Sequence, residues 1–160
     1  RGYDCKEKNI AKIVDDLCRA GLQANISNTL ALAAGLAGEQ ARAFIRDQQL
    51  QNFEISFEVQ DKLFASIYAE LSADVRRICE KPDCVAAYGK VDWLQLNPFI
   101  KEVLIDLRYR GDYTPLSRKQ LQRHISNNDL TSFREVLVNR ENWLQVPADR
   151  FKRRTDFLNN

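Results

Sequence analysis

Apolar side chains recur at the spacing of an α-helix along almost the whole chain. In the first such segment Ile10, Ile13, Val14, Leu17 and Cys18 fall at i, i+3, i+4, i+7 and i+8, so they share one face of a helix. No segment sustains the apolar–polar alternation of a strand, and no Asn-Gly or Asp-Gly hairpin turn occurs. The pattern predicts an all-α fold, one lobe of seven to nine helices around a long central helix, with residues 1–160 forming a single domain.

Residues typical of helix ends divide the chain. Asp4 and Glu7 predict a capping box for the first helix, and Gly21 predicts its end. The second helix is expected at about 27–34 and the third at about 39–49. Ser56 is expected to cap the longest helix, which should bury Phe57, Phe64, Ile67, Tyr68, Leu71, Val75 and Ile78.

Four later positions predict further helix starts, namely Asn97-Pro98, Thr114-Pro115, Asn128-Asp129 and Pro147. The helix that follows Pro98 carries apolar residues over a wide arc, from Val103 to Leu107, and is therefore expected to be buried.

Composition excludes several classes of protein. With 44% hydrophobic residues, 29% charged residues, 6 Gly and 4 Pro, the 160-residue chain is neither collagen-like nor disordered. No apolar run reaches the ~18–20 residues of a membrane span, so we expect no membrane insertion. The net charge of +2 does not indicate nucleic acid. A single His argues against a histidine-built metal site or a Ser-His-Asp triad, and no metal or cofactor is expected.

The chain contains no Met and starts with Arg1-Gly2-Tyr3, without the pattern of a signal peptide. We therefore expect it to be a piece of a longer protein, and its active site to be a piece as well.

Four cysteines, Cys5, Cys18, Cys79 and Cys84, lack the spacing of a zinc site. The local pairings Cys5–Cys18 and Cys79–Cys84 are the disulfide candidates that we favour, and they would indicate an oxidising compartment such as a periplasm. Four reduced, partly buried thiols are the alternative.

Other polar residues have plain structural interpretations. Glu102 and Asp106 lie four residues apart on one helix, as an acid/base pair could, but solvated carboxylates on helices are common. His124 lies near a helix end, and the basic run 150–154 fits a solvated helix face better than a nucleic-acid site.

Several segments of the chain resemble a known family of enzymes, and this resemblance predicts a function. Residues 1–4, Arg-Gly-Tyr-Asp, are similar to the end of the Thr-Ile-Gly-x-Gly-Tyr-Asp signature of lysozyme-like muramidases of the pesticin and phage T4-type group. Further segments resemble that family in the same order, at 33–41, 55–56, 87–93, 104–111 and, from Trp143 through Pro147 to Arg154, the closing Trp-x-x-x-Pro…Arg-Arg motif.

The resemblance implies a peptidoglycan hydrolase that cleaves the β-1,4 bond between N-acetylmuramic acid and N-acetylglucosamine. Such a domain would be a bacterial toxin, a secreted effector or an endolysin, exported to act in the periplasm or cell wall of a target bacterium. Its partners would be peptidoglycan and an immunity protein or fused delivery domain. In this family the general-acid Glu and part of the small lobe precede the Gly-Tyr-Asp residues, so both are expected before Arg1.

Glycoside hydrolysis needs one protonated and one ionised carboxyl group. Asp4 is the candidate for the ionised group, and a predicted helix N-terminus would favour its anion; a simple N-cap is the other interpretation. Inversion, as in the T4-type group, would place the two groups ~6.5–9.5 Å apart.

Sugar rings bind to aromatic faces and planar hydrogen-bonding groups. The cleft candidates are Tyr3, Tyr109 and Arg110, with Trp143 and Gln145 behind them, although core packing explains Trp143 equally well. Two other functions stay open: a non-catalytic helical module that binds glycan or protein, and a helical nucleic-acid binder.

Overall fold

The computed structural model describes residues 3–159, and within that range the secondary structure is entirely helical. The all-α prediction is confirmed. This range contains nine α-helices and one 3-10 helix, Arg140–Trp143, which lies between the last two α-helices. The α-helices are α1 (Ile10–Ala20), α2 (Ala24–Ala31), α3 (Gly38–Asp47), α4 (Phe57–Cys79), α5 (Pro82–Tyr88), α6 (Pro98–Arg110), α7 (Pro115–Ser126), α8 (Leu130–Val138) and α9 (Ala148–Asn159). No helix in the described range is both long and apolar enough to cross a membrane.

The chain forms two compact units, the first ending at Ala69 and the second beginning at Glu70. In the first unit α1 packs against α2, and the beginning of α4 contributes Leu63 to the same core. The buried side chains of this core are Ile13, Leu17, Ala20, Ala31 and Leu63.

Helix α1 begins later than the sequence indicated. Asn9 is its N-cap, and the Asn9 side chain accepts a hydrogen bond from the Lys12 backbone N–H at 2.8 Å. The prediction that Asp4 caps this helix is therefore wrong, because five residues of irregular backbone separate Asp4 from the first turn. The predicted end is confirmed: Gly21 has φ 108°, a left-handed conformation that glycine adopts without a Cβ clash.

Helices α2 and α3 lie close to their predicted positions. Helix α2 begins three residues before Ser27, which is itself buried inside it. Helix α3, Gly38–Asp47, overlaps most of the predicted segment.

The longest helix starts where predicted, since the Ser56 hydroxyl accepts a hydrogen bond from the Val59 N–H at 3.3 Å. Its predicted buried stripe is partly wrong: Phe57 is 82% exposed and Phe64 is 60% exposed. In this unit the inward face of α4 instead carries Val59 and Leu63, which are four residues apart and contact the core. Phe57 and Phe64 lie about 130° around the helix from that face, on its exposed side.

The second unit has a larger core built from α6, α7, α8 and the ends of α4 and α9. Its largest fully buried side chains are Trp143 and Phe133. The indole N–H of Trp143 donates to the Val136 carbonyl at 3.0 Å. Trp93 is half-buried against this core, and the Lys101 ammonium lies over its ring, 5.4 Å from the centroid.

The helix caps of this unit lie where the sequence predicted them. Asn97 caps α6 through the Phe99 N–H, Thr114 and Ser117 form a capping box at α7, and Asp129 caps α8 through the Ser132 N–H. The apolar arc of α6 is buried as predicted, which makes α6 the central element of this core.

Candidate functional site

The carboxylate of Asp4 lies in the irregular segment before α1 and is exposed to solvent. Its Oδ1 accepts a hydrogen bond from the Lys6 backbone N–H at 2.8 Å, which closes a local turn. The carboxylate is thus held by a backbone donor of its own turn and does not lie at the helix N-terminus where the sequence placed it.

A buried carboxylate lies beneath this segment. Asp16, on α1, is 6% exposed, and its Oδ2 accepts a hydrogen bond from the Tyr3 hydroxyl at 2.6 Å. Lys12, one turn earlier, donates to Oδ1, and the Lys8 ammonium lies 3.8 Å from Oδ2. Lys8 also lies over the Tyr3 ring, 5.2 Å from its centroid. Three side chains therefore converge on one carboxylate.

Opposing effects act on the pKa of Asp16. Burial raises it, but the hydrogen bonds from Lys12 and Tyr3 and the charges of Lys12 and Lys8 outweigh burial, so the pKa lies below its ordinary value. Asp16 is consequently ionised at neutral pH.

Sequence reasoning missed Asp16, although a signal for it was present. Asp16 shares a helix face with Ile13, Leu17 and Ala20, all of which are buried. A charged residue inside an apolar stripe must find partners when it is buried, and here basic residues stand four and eight positions before it.

The backbone around Asp4 has a second attachment. The Cys5 carbonyl accepts hydrogen bonds from the Gly35 N–H and the Lys8 N–H, both at 3.3 Å. Tyr3 and Cys5 also pack against the core of the first unit. Burial, followed by the nearby charge of Asp4, raises the pKa of the Cys5 thiol, so this thiol is protonated at neutral pH.

The other predicted cleft residues belong to the second unit. Tyr109 and Arg110 are half-buried at the end of α6, and Arg110 Nε donates to Asp106 Oδ1 at 3.0 Å. Asp106 is therefore half-buried and paired in a salt bridge within its own helix, whereas Glu102 is exposed, as expected for a solvated carboxylate on a helix. Gln145 is exposed.

Trp143 cannot serve as a sugar platform in this conformation. Its side chain is 0% exposed, one of its faces is covered by the Arg154 guanidinium at 5.0 Å, and its N–H is bound to the Val136 carbonyl. Trp143 is therefore a core residue in this structure, which is one of the two interpretations that its sequence position allowed.

The basic run 150–154 is only partly a solvated face. Arg154 is buried and donates to Asp112 Oδ2 at 2.8 Å, whereas Lys152 is exposed and pairs with Asp156. His124 lies in the last turn of α7, where its carbonyl accepts from the Asp129 N–H at 2.9 Å.

All four cysteines are free thiols in the structure, so neither predicted disulfide is formed among these described residues. The Cys79 sulfur is instead engaged in a buried polar cluster, 3.4 Å from the Tyr113 hydroxyl and 3.3 Å from the Gln122 amide nitrogen that donates to it. Tyr113 in turn donates to the Gln122 amide oxygen at 2.6 Å. Within residues 3–159, no group of three or more His, Cys, Asp or Glu side chains is arranged to hold a metal ion.

A family model described as a domain of unknown function (DUF8812) matches residues 1–155. Neither a curated protein nor a solved structure matches the chain.

Proposed function

The chain belongs to the family described as a domain of unknown function (DUF8812), and we propose that it is a lysozyme-like peptidoglycan hydrolase. Its substrate would be the β-1,4 bond between N-acetylmuramic acid and N-acetylglucosamine. The observation that carries the proposal is the exposed Asp4 carboxylate, at the end of the Gly-Tyr-Asp residues, on a backbone that Tyr3 and Cys5 attach to the core.

Asp4 would act as the general base. In an inverting reaction its carboxylate accepts a proton from the water that attacks the anomeric carbon, while a protonated Glu delivers a proton to the departing sugar oxygen. That Glu is expected before Arg1, in the position that the resemblance gives it. An exposed carboxylate held by one backbone N–H suits this role, because the base must be ionised and open to water.

A substrate contact is proposed for Tyr3, whose aromatic ring is next to Asp4 in the first unit. The cleft roles of Tyr109 and Arg110 stay predictions from the sequence, because both residues belong to the second unit and the Arg110 guanidinium pairs with Asp106. We extend the proposal to a toxin, effector or endolysin that is exported to act on the cell wall of a target bacterium, with an immunity protein or delivery domain as its partner.

The test is the clearing of purified cell walls by the full-length protein, measured as loss of turbidity. We expect Asp4→Asn to lower the rate by about 10²–10⁴-fold, the usual contribution of a positioned base. Glu7→Gln is the matched control, because Glu7 is an exposed carboxylate of the same segment. Clearing by Asp4→Asn at the unsubstituted rate would refute the role of Asp4.

A second function is favoured by one observation, the two exposed phenylalanines of α4, Phe57 and Phe64. Phe64 also forms a ring pair with the half-buried Tyr68, with centroids 6.0 Å apart. These residues would suit a non-catalytic module that binds protein or glycan. If the protein cosediments with purified cell walls and no new reducing ends are released from them, the binding function is favoured over hydrolysis.

A further inference from the structure

We infer that Asp16 is a positioning residue, which fixes the backbone that carries Asp4 by holding the Tyr3 hydroxyl. This inference rests on the proposed function for its catalytic meaning. Its structural part is independent of that function, because it concerns only how residues 3–9 are attached to α1.

The geometry carries the first step. Tyr3 immediately precedes Asp4, and the Tyr3 hydroxyl donates to the buried Asp16 carboxylate at 2.6 Å. A hydrogen bond to an ionised acceptor is stronger than one between neutral groups. Since Asp16 sits on a regular helix, it supplies a rigid point to which the irregular segment is attached.

The lysines supply the second step. Lys12 belongs to α1 and fixes the Asp16 carboxylate from within the helix, whereas Lys8 belongs to the irregular segment and approaches both Asp16 and the Tyr3 ring. Asp16 therefore attaches the segment at two residues, one on each side of Asp4. The local turn between Asp4 and Lys6 lies between these attachments.

The chemical consequence concerns orientation. A base must lie within hydrogen-bond reach of the water that it deprotonates, and a displacement of about 1 Å can cost about 10²-fold in rate. Asp16 has no proposed contact with the substrate, so its loss should lower kcat and leave KM nearly unchanged.

The first experiment is structural and uses the chain as it exists. We expect Asp16→Asn to speed NMR-detected hydrogen exchange of the Lys6 and Lys8 amides by about tenfold or more, the loss expected for a hydrogen bond to a charged group. Asp15→Asn is the matched control, because Asp15 is the adjacent carboxylate and pairs with Arg19 on the exposed side of α1. Unchanged exchange in a folded Asp16→Asn protein overturns the inference.

The second experiment is kinetic and uses the wall-clearing protein. Asp16→Asn should lower kcat by about tenfold or more with KM nearly unchanged. Tyr3→Phe removes only the hydroxyl and keeps the ring, so it should lower kcat to a similar extent, and Asp16→Asn combined with Tyr3→Phe should cost little more than Asp16→Asn alone. Tyr3→Phe also serves if Asp16→Asn fails to fold. Full activity of both variants overturns the inference, whereas full activity of Asp4→Asn overturns the proposed function; the exchange experiment stands in either case.

Discussion

At the scale of single residues, the ionisation of Asp16 makes the stability of the first unit depend on pH. Its pKa in the folded protein lies below the value of about 3.9 expected in the unfolded chain. The folded state therefore binds this proton less readily than the unfolded state does. The stabilisation by Asp16 is present above about pH 4 and is lost as the pH falls through the lower, folded pKa.

The corresponding prediction is a pH-dependent difference between two proteins. We expect Asp16→Asn to lower the free energy of unfolding by about 1–3 kcal/mol at pH 7, because it weakens hydrogen bonds from Tyr3 and Lys12 to a buried charge. This difference should shrink below about pH 4. Urea denaturation followed by circular dichroism at several pH values measures it.

Asp15→Asn serves again as the comparison. An exposed ion pair such as Asp15–Arg19 contributes about 0–1 kcal/mol, so this variant should follow the unsubstituted protein closely. A constant difference for Asp16→Asn from pH 7 down to pH 3 would contradict the assignment of the pH effect to this carboxylate.

At the scale of helices, the capping box of α7 stabilises the fold independently of Asp16. The Thr114 hydroxyl accepts from the Ser117 N–H at 3.2 Å, and the Ser117 hydroxyl accepts from the Thr114 N–H at 2.9 Å. Thr114→Ala should destabilise the protein by about 0.5–2 kcal/mol, measured by urea denaturation. Thr131→Ala, at an exposed position of α8, should change stability by less than about 0.5 kcal/mol; equal losses in the two variants would argue against the cap.

Helix ends were the most predictable features of the fold. Asn97, Thr114 and Gly21 act through their own backbone neighbours, so sequence alone locates them. Asp4 was misassigned because Asn9 has the same capping chemistry and lies directly before the regular turn. Phe57 was misassigned because hydrophobicity does not tell which face of a helix meets a core.

The candidate site was less predictable than the helices. Asp4 and Tyr3 followed from a motif, but the partner of Tyr3 lies 13 residues further along the chain. Which carboxylate receives the hydroxyl depends on how the irregular segment folds back on α1, a tertiary contact that no local spacing reports. Trp143 fitted a binding wall and a core equally well until its surroundings were known.

At the scale of the whole molecule, the two units have cores of different size. Among the described residues, five buried hydrophobic side chains form the first core, against 16 in the second. Because a smaller buried apolar core supports lower local stability, we expect amides of α1 to exchange about tenfold faster, or more, than those of α7 under native conditions. Equal protection of α1 and α7 would contradict this expectation.

The placement of the two tryptophans has a practical consequence for optical measurements. Trp93 and Trp143 both pack in the core of the second unit, and the chain has no others. Tryptophan fluorescence therefore reports the unfolding of the second unit. The first unit contains no tryptophan, and its unfolding is detected through the far-ultraviolet circular dichroism of its helices. A fluorescence transition that is later than the circular dichroism transition would be the optical signature of an early loss of the first unit.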